Sequence, residues 1–547
     1  MAEAIIDGKR IPLPEDRQLN GIQAARLAGV EIPHYCWHPG LSVVASCRMC
    51  LVECGTCDAE TGEVRMMPKL VPACQTPVRD GTVLVTDSDK VRHARAYVEE
   101  ALLIDHPIDC PVCDKAGECY LQDYYFQHGQ PKRRADLRPF HSRKRDLGPT
   151  VRLFVERCVM CSRCVRFCRE VAGTGELMVV HRGSHEEIDV FPGHPLENKL
   201  SGNVVELCPV GALGDKDFLY KQRVWFLKSH AGICTGCSVG CNIWIDENQD
   251  RIYRLRAREN PHVNQWWICD EGRYGFHHVH SQKRLLGVRH RPDQGPEQEL
   301  DWEQARELLQ QWASEASRAA AVLSPHLTVE EAYLLCRFVR QVDPEAPLVL
   351  GPVPQVGQDE HFPGGFVIRA EKCPNRRGVV ELLQHFGGHT GPWPQGLQQL
   401  LEYEPELVWL SGGYKTDWIT PQEAQLLAQA RHLVVQDLFP TPASQVARLV
   451  LPGAAFAEKS GSYVNYNGRL QWADWAIRPP VGTRPEGAVL WSLLGRSGLY
   501  QPQVVLEEVA AEVVAFQAVT LPVPEQGVDL HLALLAEEVT PSGEPPA

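Results

Sequence analysis

No stretch of this 547-residue chain approaches the ~18 consecutive uncharged apolar residues that a membrane-spanning helix needs. The opening residues, Met1 to Arg10, lack the apolar core of a secretory signal and the Arg/Ser-rich helix of a transit peptide, so neither export nor organelle import is expected. Positive charge is in deficit: 55 Lys and Arg stand against 69 Asp and Glu, a net charge of −14, which argues against a general nucleic-acid binder. No Gly-x-Gly-x-x-Gly turn opens a strand–helix unit, so no dinucleotide site of the Rossmann type is expected on this chain. Cysteine is nearly absent from the second half, where only Cys336 and Cys373 follow Cys269. What is present is a globular composition, 44% hydrophobic and 23% charged, in a length that allows about three to five domains. The other 18 of the 20 cysteines crowd between Cys36 and Cys269.

Disulfides, zinc and iron–sulfur clusters compete for these thiols. A large chain without an export signal does not need disulfide staples, and tight Cys-x2-Cys pairs favour metal. The first group is Cys36-x10-Cys47-x2-Cys50 with a distant Cys74. It suits a plant-type [2Fe–2S] site, although its first spacing is longer than the usual four. Around it, Ala4 to Pro12 reads as a hairpin with an Asp7-Gly8 turn, Asn20 to Ala28 as a helix and Gly81 to Thr86 as a closing strand, a β-grasp layout. Cys54 and Cys57 offer an alternative zinc knot with Cys47 and Cys50, but that would orphan Cys36 and Cys74. They are expected on a hairpin beside the cluster.

The second group, His106-x3-Cys110-x2-Cys113-x5-Cys119, leaves a four-iron cube one thiolate short. Either the His106 imidazole or the Cys168 thiol completes it. The third group, Cys158-x2-Cys161-x2-Cys164, needs a fourth ligand that usually precedes a proline, which points to Cys208-Pro209 rather than Cys168-Arg169. The fourth, Cys234-x2-Cys237-x3-Cys241-x27-Cys269, suits a cube or zinc. Cys54, Cys57, Cys168, Cys336 and Cys373 are left over. Four full ligand sets in succession read as a wire for electrons; one structural metal would have held the fold.

The runs His34 to Leu41, Ser46 to Glu53, Asp109 to Asp123, Arg157 to Glu170 and Leu207 to Leu213 together resemble the large iron–sulfur subunit of respiratory complex I, NADH:quinone oxidoreductase, over residues 1 to about 285. The resemblance implies a [2Fe–2S] cluster on Cys36, Cys47, Cys50 and Cys74, and [4Fe–4S] clusters on His106, Cys110, Cys113 and Cys119 and on Cys158, Cys161, Cys164 and Cys208. Cys234, Cys237, Cys241 and Cys269 match a further [4Fe–4S] cluster found in a subset of bacterial members, off the main electron path. It implies electron flow from a flavin-bearing, NADH-oxidising neighbour through the Cys36, Cys158 and His106 sets toward quinone. The implied partners are the flavin subunit, a small [2Fe–2S] subunit and downstream iron–sulfur subunits. The implied location is the cytoplasmic face of a bacterial membrane, held peripherally through the complex.

Beyond about residue 290 the pattern changes. Asp301-Trp302-Glu303 opens an amphipathic helix to about Ala316, and Thr328 to Glu331 forms a capping box opening another to about Val339. Ala320 to Leu323, Pro347 to Leu350, Leu407 to Leu410 and Leu433 to Val435 read as strands, so a parallel sheet with helices on both faces is expected. Leu449 to Pro452, Glu458 to Asn465 and Gly468 to Gln471 resemble a motif of molybdopterin oxidoreductases. The reading is a relic domain without molybdopterin, with a molybdenum-dependent formate dehydrogenase chain as the alternative. An iron-only hydrogenase would need more cysteines after 285, and a zinc-rich scaffold would be colourless.

The expected architecture is multidomain α+β followed by α/β. A β-grasp [2Fe–2S] domain spans 1–95, a His/Cys [4Fe–4S] domain 96–137 and a ferredoxin-like [4Fe–4S] domain 138–228. A molybdopterin-oxidoreductase-type [4Fe–4S] domain spans 229–285 and a truncated molybdopterin-oxidoreductase-like α/β domain 286–480. A C-terminal extension, 481–547, ends in a Pro/Gly/Glu-rich tail expected to be disordered. The basic run from Lys132 to Arg145 reads as a solvated linker or a contact with an acidic neighbouring subunit.

Overall fold

The computed structural model describes residues 2–58, 60–132, 134–135, 145–183 and 185–532. Most of the basic run and the tail beyond 532 lie outside them; of the described arginines in that run, Arg134 pairs with Glu100 and Arg145 with Glu187 at 2.8 Å. The chain forms two compact units, Met1–Leu227 with Phe362–Phe366, and Lys228–His361 with Val367–Ala547. No described helix is long and apolar enough to cross a membrane.

The first unit begins as a β-grasp. Strands Glu3–Ile6 and Lys9–Pro12 pair antiparallel through a two-residue turn in which Asp7 and Gly8 both have positive φ, 48° and 81°. That is the backbone a tight hairpin demands of an Asp-Gly pair. Glu3–Ile6 then pairs parallel with Thr82–Val85, which pairs antiparallel with Leu51–Cys57. Helix Gly21–Leu27 is capped by Asn20, with Gln23 closing the box, and buries Ile22, Ala24 and Ala25. Cys50, Cys54 and Cys74 belong to the same apolar cluster as Ile6, Ile22 and Leu84.

Helix Asp89–Asp105 follows, capped by Ser88 and ending at His106. A 3-10 turn, Cys110–Val112, and helix Tyr120–His128 complete that segment. Further on, strand Val151–Leu153 pairs with Leu213–Asp215, helix Arg163–Glu170 carries Cys164 and Cys168, and helix Asn203–Leu207 ends at Cys208.

The second unit opens with an antiparallel meander, Lys228–Ile233, Asn242–Asn248 and Arg251–Ala257, and the short helix Asp270–Tyr274. Its centre is a seven-stranded sheet. Leu348–Leu350, Ala319–Leu323, Leu407–Ser411, His432–Asp437 and Leu449–Pro452 run parallel in that spatial order. The expectation of a parallel sheet needs one correction: Val288–His290 and Gln298–Leu300 extend its edge antiparallel. Apolar clusters cover both faces, one around Leu335, Trp409 and Val489 and the other around Val408, Leu410 and Leu433. The parallel strands are accordingly buried throughout rather than on alternate residues. Helix Val329–Val342 carries the capping box read at Thr328, and helix Trp302–Glu315, read as opening at Asp301, has a box of its own in which Asp301 pairs with Gln304. The α/β core continues past 480, since helices Glu486–Leu493 and Pro502–Glu512 bury Leu490, Val505, Leu506 and Val509 in it.

Candidate metal centres

The Cys36 set is gathered around the end of the β-grasp sheet. Cys36, Cys50 and Cys74 are buried and Cys47 is partly so. The Cys47 and Cys74 thiols contact Cys36 and hold its thiolate below the usual thiol range. Cys74 is pushed up in turn by Cys36 and Cys50, and Cys47 by Cys36. Such mutual contact between four thiols is the donor chemistry a [2Fe–2S] cluster needs. Cys54 and Cys57 stand apart from it, on the hairpin of Leu51–Cys57 with Val64–Met66. Cys54 faces the apolar core, and the Cys57 thiol turns to the carbonyls of Asp58 and Gly62.

Cys158, Cys161, Cys164 and Cys208 line one cavity, walled by Leu153, Ile188, Val210 and Leu213. Burial pushes the Cys161 thiol up to about 11 and raises Cys158 and Cys164 as well. Thiols so desolvated stay protonated at neutral pH until a metal displaces the proton. The Met160 N–H donates to Cys158 Sγ at 3.4 Å, the kind of bond that tunes a cluster potential. Cys168 is fully buried on Arg163–Glu170 but is not among the residues lining this cavity.

His106, Cys110 and Cys119 line a second, more open cavity with Leu103, Ile108, Tyr125 and Phe126. Burial, with Arg157 nearby, holds the His106 imidazole down to about 4, so it is neutral at physiological pH, the form that ligates metal. Cys113 does not line that cavity and lies instead against Gly211, where a Cβ would stand 2.2 Å from its Sγ.

In the second unit Cys234, Cys237, Cys241 and Cys269 are buried together. Burial dominates their rise, to about 11 for Cys234, and the charge of neighbouring thiols, Cys237 among them, adds to it at Cys234, Cys241 and Cys269. Cys269 caps Asp270–Tyr274 and accepts from the Gly272 N–H at 3.3 Å; the Gly236 N–H donates to Cys234 Sγ at 3.4 Å. A Cβ on Gly272 would meet Cys234 Sγ at 2.9 Å. Gly211 and Gly272 thus shape the thiol sites. The spacing of cysteines hid them, although each follows its cysteine, Cys208 or Cys269, by three residues. Among the described residues no three His, Cys, Asp or Glu groups converge on a single ion. A cluster is a larger body, held at separate corners. Cys336 and Cys373 are buried in the α/β half, with Cys336 inside the apolar core.

Family models match along the chain in order. A 2Fe-2S iron-sulfur cluster binding domain matches residues 3–89, and the NADH-ubiquinone oxidoreductase-G iron-sulfur binding region matches 95–134. The ferredoxin-like domain of NADH-quinone oxidoreductase subunit 3 matches 148–214. A molybdopterin oxidoreductase Fe4S4 domain matches 227–281 and a molybdopterin oxidoreductase model 378–496. An NADH-quinone oxidoreductase subunit of Rickettsia felis is 35% identical over 349 residues, 62% of this chain and 49% of that protein. The like-named subunit of Streptomyces coelicolor is 36% identical, over 61% of this chain and 39% of its own. The mitochondrial NADH dehydrogenase [ubiquinone] iron-sulfur protein 1 of Solanum tuberosum is 38% identical, over 56% and 40%. The chain spans about half the length, or less, of these relatives. A crystal structure of an NAD+-reducing [NiFe]-hydrogenase, 28% identical, aligns at a TM-score of 0.35 over 41% of this chain and 91% of that one, too weak a likeness to bear on the fold. With [2Fe–2S]- and [4Fe–4S]-binding domains in this order, the chain is a relative of the large iron–sulfur subunit of NADH-quinone oxidoreductase.

Proposed function

We propose that this chain is an electron-transfer subunit of NADH:quinone oxidoreductase, passing electrons from a flavin-bearing, NADH-oxidising subunit toward quinone. The observation that carries the reading is the convergence of Cys158, Cys161, Cys164 and Cys208 on one apolar-walled cavity. Three further sets accompany it: Cys36, Cys47, Cys50 and Cys74; His106, Cys110, Cys113 and Cys119; and Cys234, Cys237, Cys241 and Cys269. The first set would hold a [2Fe–2S] cluster and the other three [4Fe–4S] clusters, which when bound take and release one electron at a time. The thiolates and the neutral imidazole fix the metals. Leu153, Ile188 and Val210 keep water from the Cys158 set, and N–H groups aimed at Sγ set the potentials.

The domains proposed for this reading are 1–95, 96–137, 138–228, 229–285 and an α/β domain at 286–480, whose core also takes in the two helices of the 481–547 extension. The α/β part works without molybdopterin, as framework. The chain sits peripherally on the cytoplasmic face of the membrane and meets the flavin subunit, a small [2Fe–2S] subunit and downstream iron–sulfur subunits. Metal analysis and EPR of anaerobically purified, reduced protein test this directly. About 14 irons are expected, from one two-iron and three four-iron clusters, with negligible molybdenum. Stoichiometric molybdenum, or zinc alone, sinks the proposal.

A further inference from the structure

Helix Arg163–Glu170 carries two arginines that are only 4% and 5% exposed, Arg163 and Arg166. Buried guanidinium groups ordinarily face carboxylates. Neither of these is in an ion pair among the described residues; each bonds only to neutral oxygens. Arg163 Nη2 donates to the Trp37 carbonyl at 2.5 Å and Nη1 to the Leu207 carbonyl at 3.3 Å. Arg166 Nη2 donates to the Cys36 carbonyl and, at 3.3 Å, to the Cys161 carbonyl, while Nη1 takes the Ser42 carbonyl and Nε the Ser162 hydroxyl. One turn on, the Glu170 carboxylate accepts from the Ser42 N–H at 2.9 Å and its hydroxyl at 2.6 Å. Each arginine therefore ties the loop that presents Cys36 to the elements that present the Cys158 set. Arg166 does so through the carbonyls of two proposed ligands, Cys36 and Cys161.

Glu170 lends its charge to Arg166 without pairing with it, and a cation desolvated this fully needs further negative charge from its surroundings. Thiolate-ligated clusters supply it on both sides. We propose that Arg166, seconded by Arg163, is a positioning residue shared by the Cys36 and Cys158 sites. It fixes the two ligand loops against each other, and its charge favours the reduced, more negative state at both. In the transfer between the sites one electron leaves the first and arrives at the second. Arg166 stays protonated throughout and exchanges neither electron nor proton. A potential set by one shared charge rises at both sites together, so the gap between them, which drives transfer, changes by less than the larger of the two shifts.

This inference rests on the cluster assignment proposed above, and its test separates the two. In anaerobically purified full-length protein, EPR redox titration should resolve the [2Fe–2S] signal and those of the cubes; its absence from the unaltered protein removes the assignment and with it the inference. With the signals present, Arg166→Gln is expected to lower the Cys36-site and Cys158-site potentials together. The expected size is about a tenfold change in the reduced-to-oxidised ratio at fixed potential, 59 mV for a one-electron couple. The His106-site and Cys234-site potentials stay in place. Arg166→Lys, which keeps the charge, restores most of the shift. Arg163→Gln, which is expected to move the same two potentials by less, carries the test if Arg166→Gln fails to load iron. Movement of one potential alone, of all four alike, or a Lys variant as far displaced as Gln overturns the proposal.

Discussion

Around Cys158 four thiols face a cavity walled by hydrocarbon, whereas around Lys459 buried charges meet one another directly. Lys459 Nζ donates to Glu331 at 2.7 Å and Glu486 at 3.1 Å. Arg284 forms a two-pronged bond to Glu458 at 2.9 and 2.8 Å, and Glu330 accepts from the Ser462 N–H and hydroxyl. The first interior is largely apolar apart from its thiols, and the second is charged. One leaves its donors facing an open centre, and the other closes its charges upon themselves. The Glu458–Gly461 segment, whose motif resembles that of molybdopterin oxidoreductases, lies in the closed kind. Its side chains hold the sheet's surroundings together.

The sharpest way to break this contrast is Lys459→Met. It strands Glu331 and Glu486 in the core without a cation, and a loss of about 3–5 kcal/mol in chemical denaturation is expected, with iron content unchanged. A loss under about 1 kcal/mol would show that the charges do not depend on one another.

Glu330 sharpens the same point through pH. Burial raises its carboxyl from 4.5 to about 7, despite the bonds from Ser462 that pull the other way. The unfolded chain gives up this proton near 4.5 and the folded one near 7. Its contribution is therefore whole below 4.5 and disappears as pH climbs to about 7, roughly 3 kcal/mol in all. Glu330→Gln, which does not titrate, should flatten the profile of denaturation midpoint between pH 5 and 8. Parallel profiles for the two proteins would reject this.

The smallest effect is expected at Cys168. Cys168→Ala should keep all cluster signals and cost under about 2 kcal/mol, as a core truncation. Loss of four irons would instead make Cys168 a ligand, in the place given to His106.

Local signals carried much of this structure in the sequence. Asp7-Gly8, Asn20, Asp301 and Thr328 each determine a turn or a cap through their own side chains and backbone, and the structure has all four. The candidate ligand sets were legible because chelation imposes short spacings. Features set by distant partners were not. Val288–His290 is short and mostly polar, and it joins the large sheet by pairing with Leu449–Val450, far along the chain. Glu331 reads as a capping residue, which it is, but nothing local announces that its carboxylate also meets Lys459. Arg163 and Arg166 sit in plain view between ligand cysteines. Only folding reveals that they reach back to Trp37 and Cys36.

The close approach of Gly211 to Cys113 has a genetic corollary. The loop that begins at Cys208 forms the seat of a thiol belonging to another set, so an alteration there would be felt where no change was made. A screen for strains defective in the His106 cluster should return Gly211 substitutions alongside the ligands themselves, and second-site revertants of such strains should cluster in the segment around Cys113. The inheritance of the two sites is linked by the absence of one methyl group.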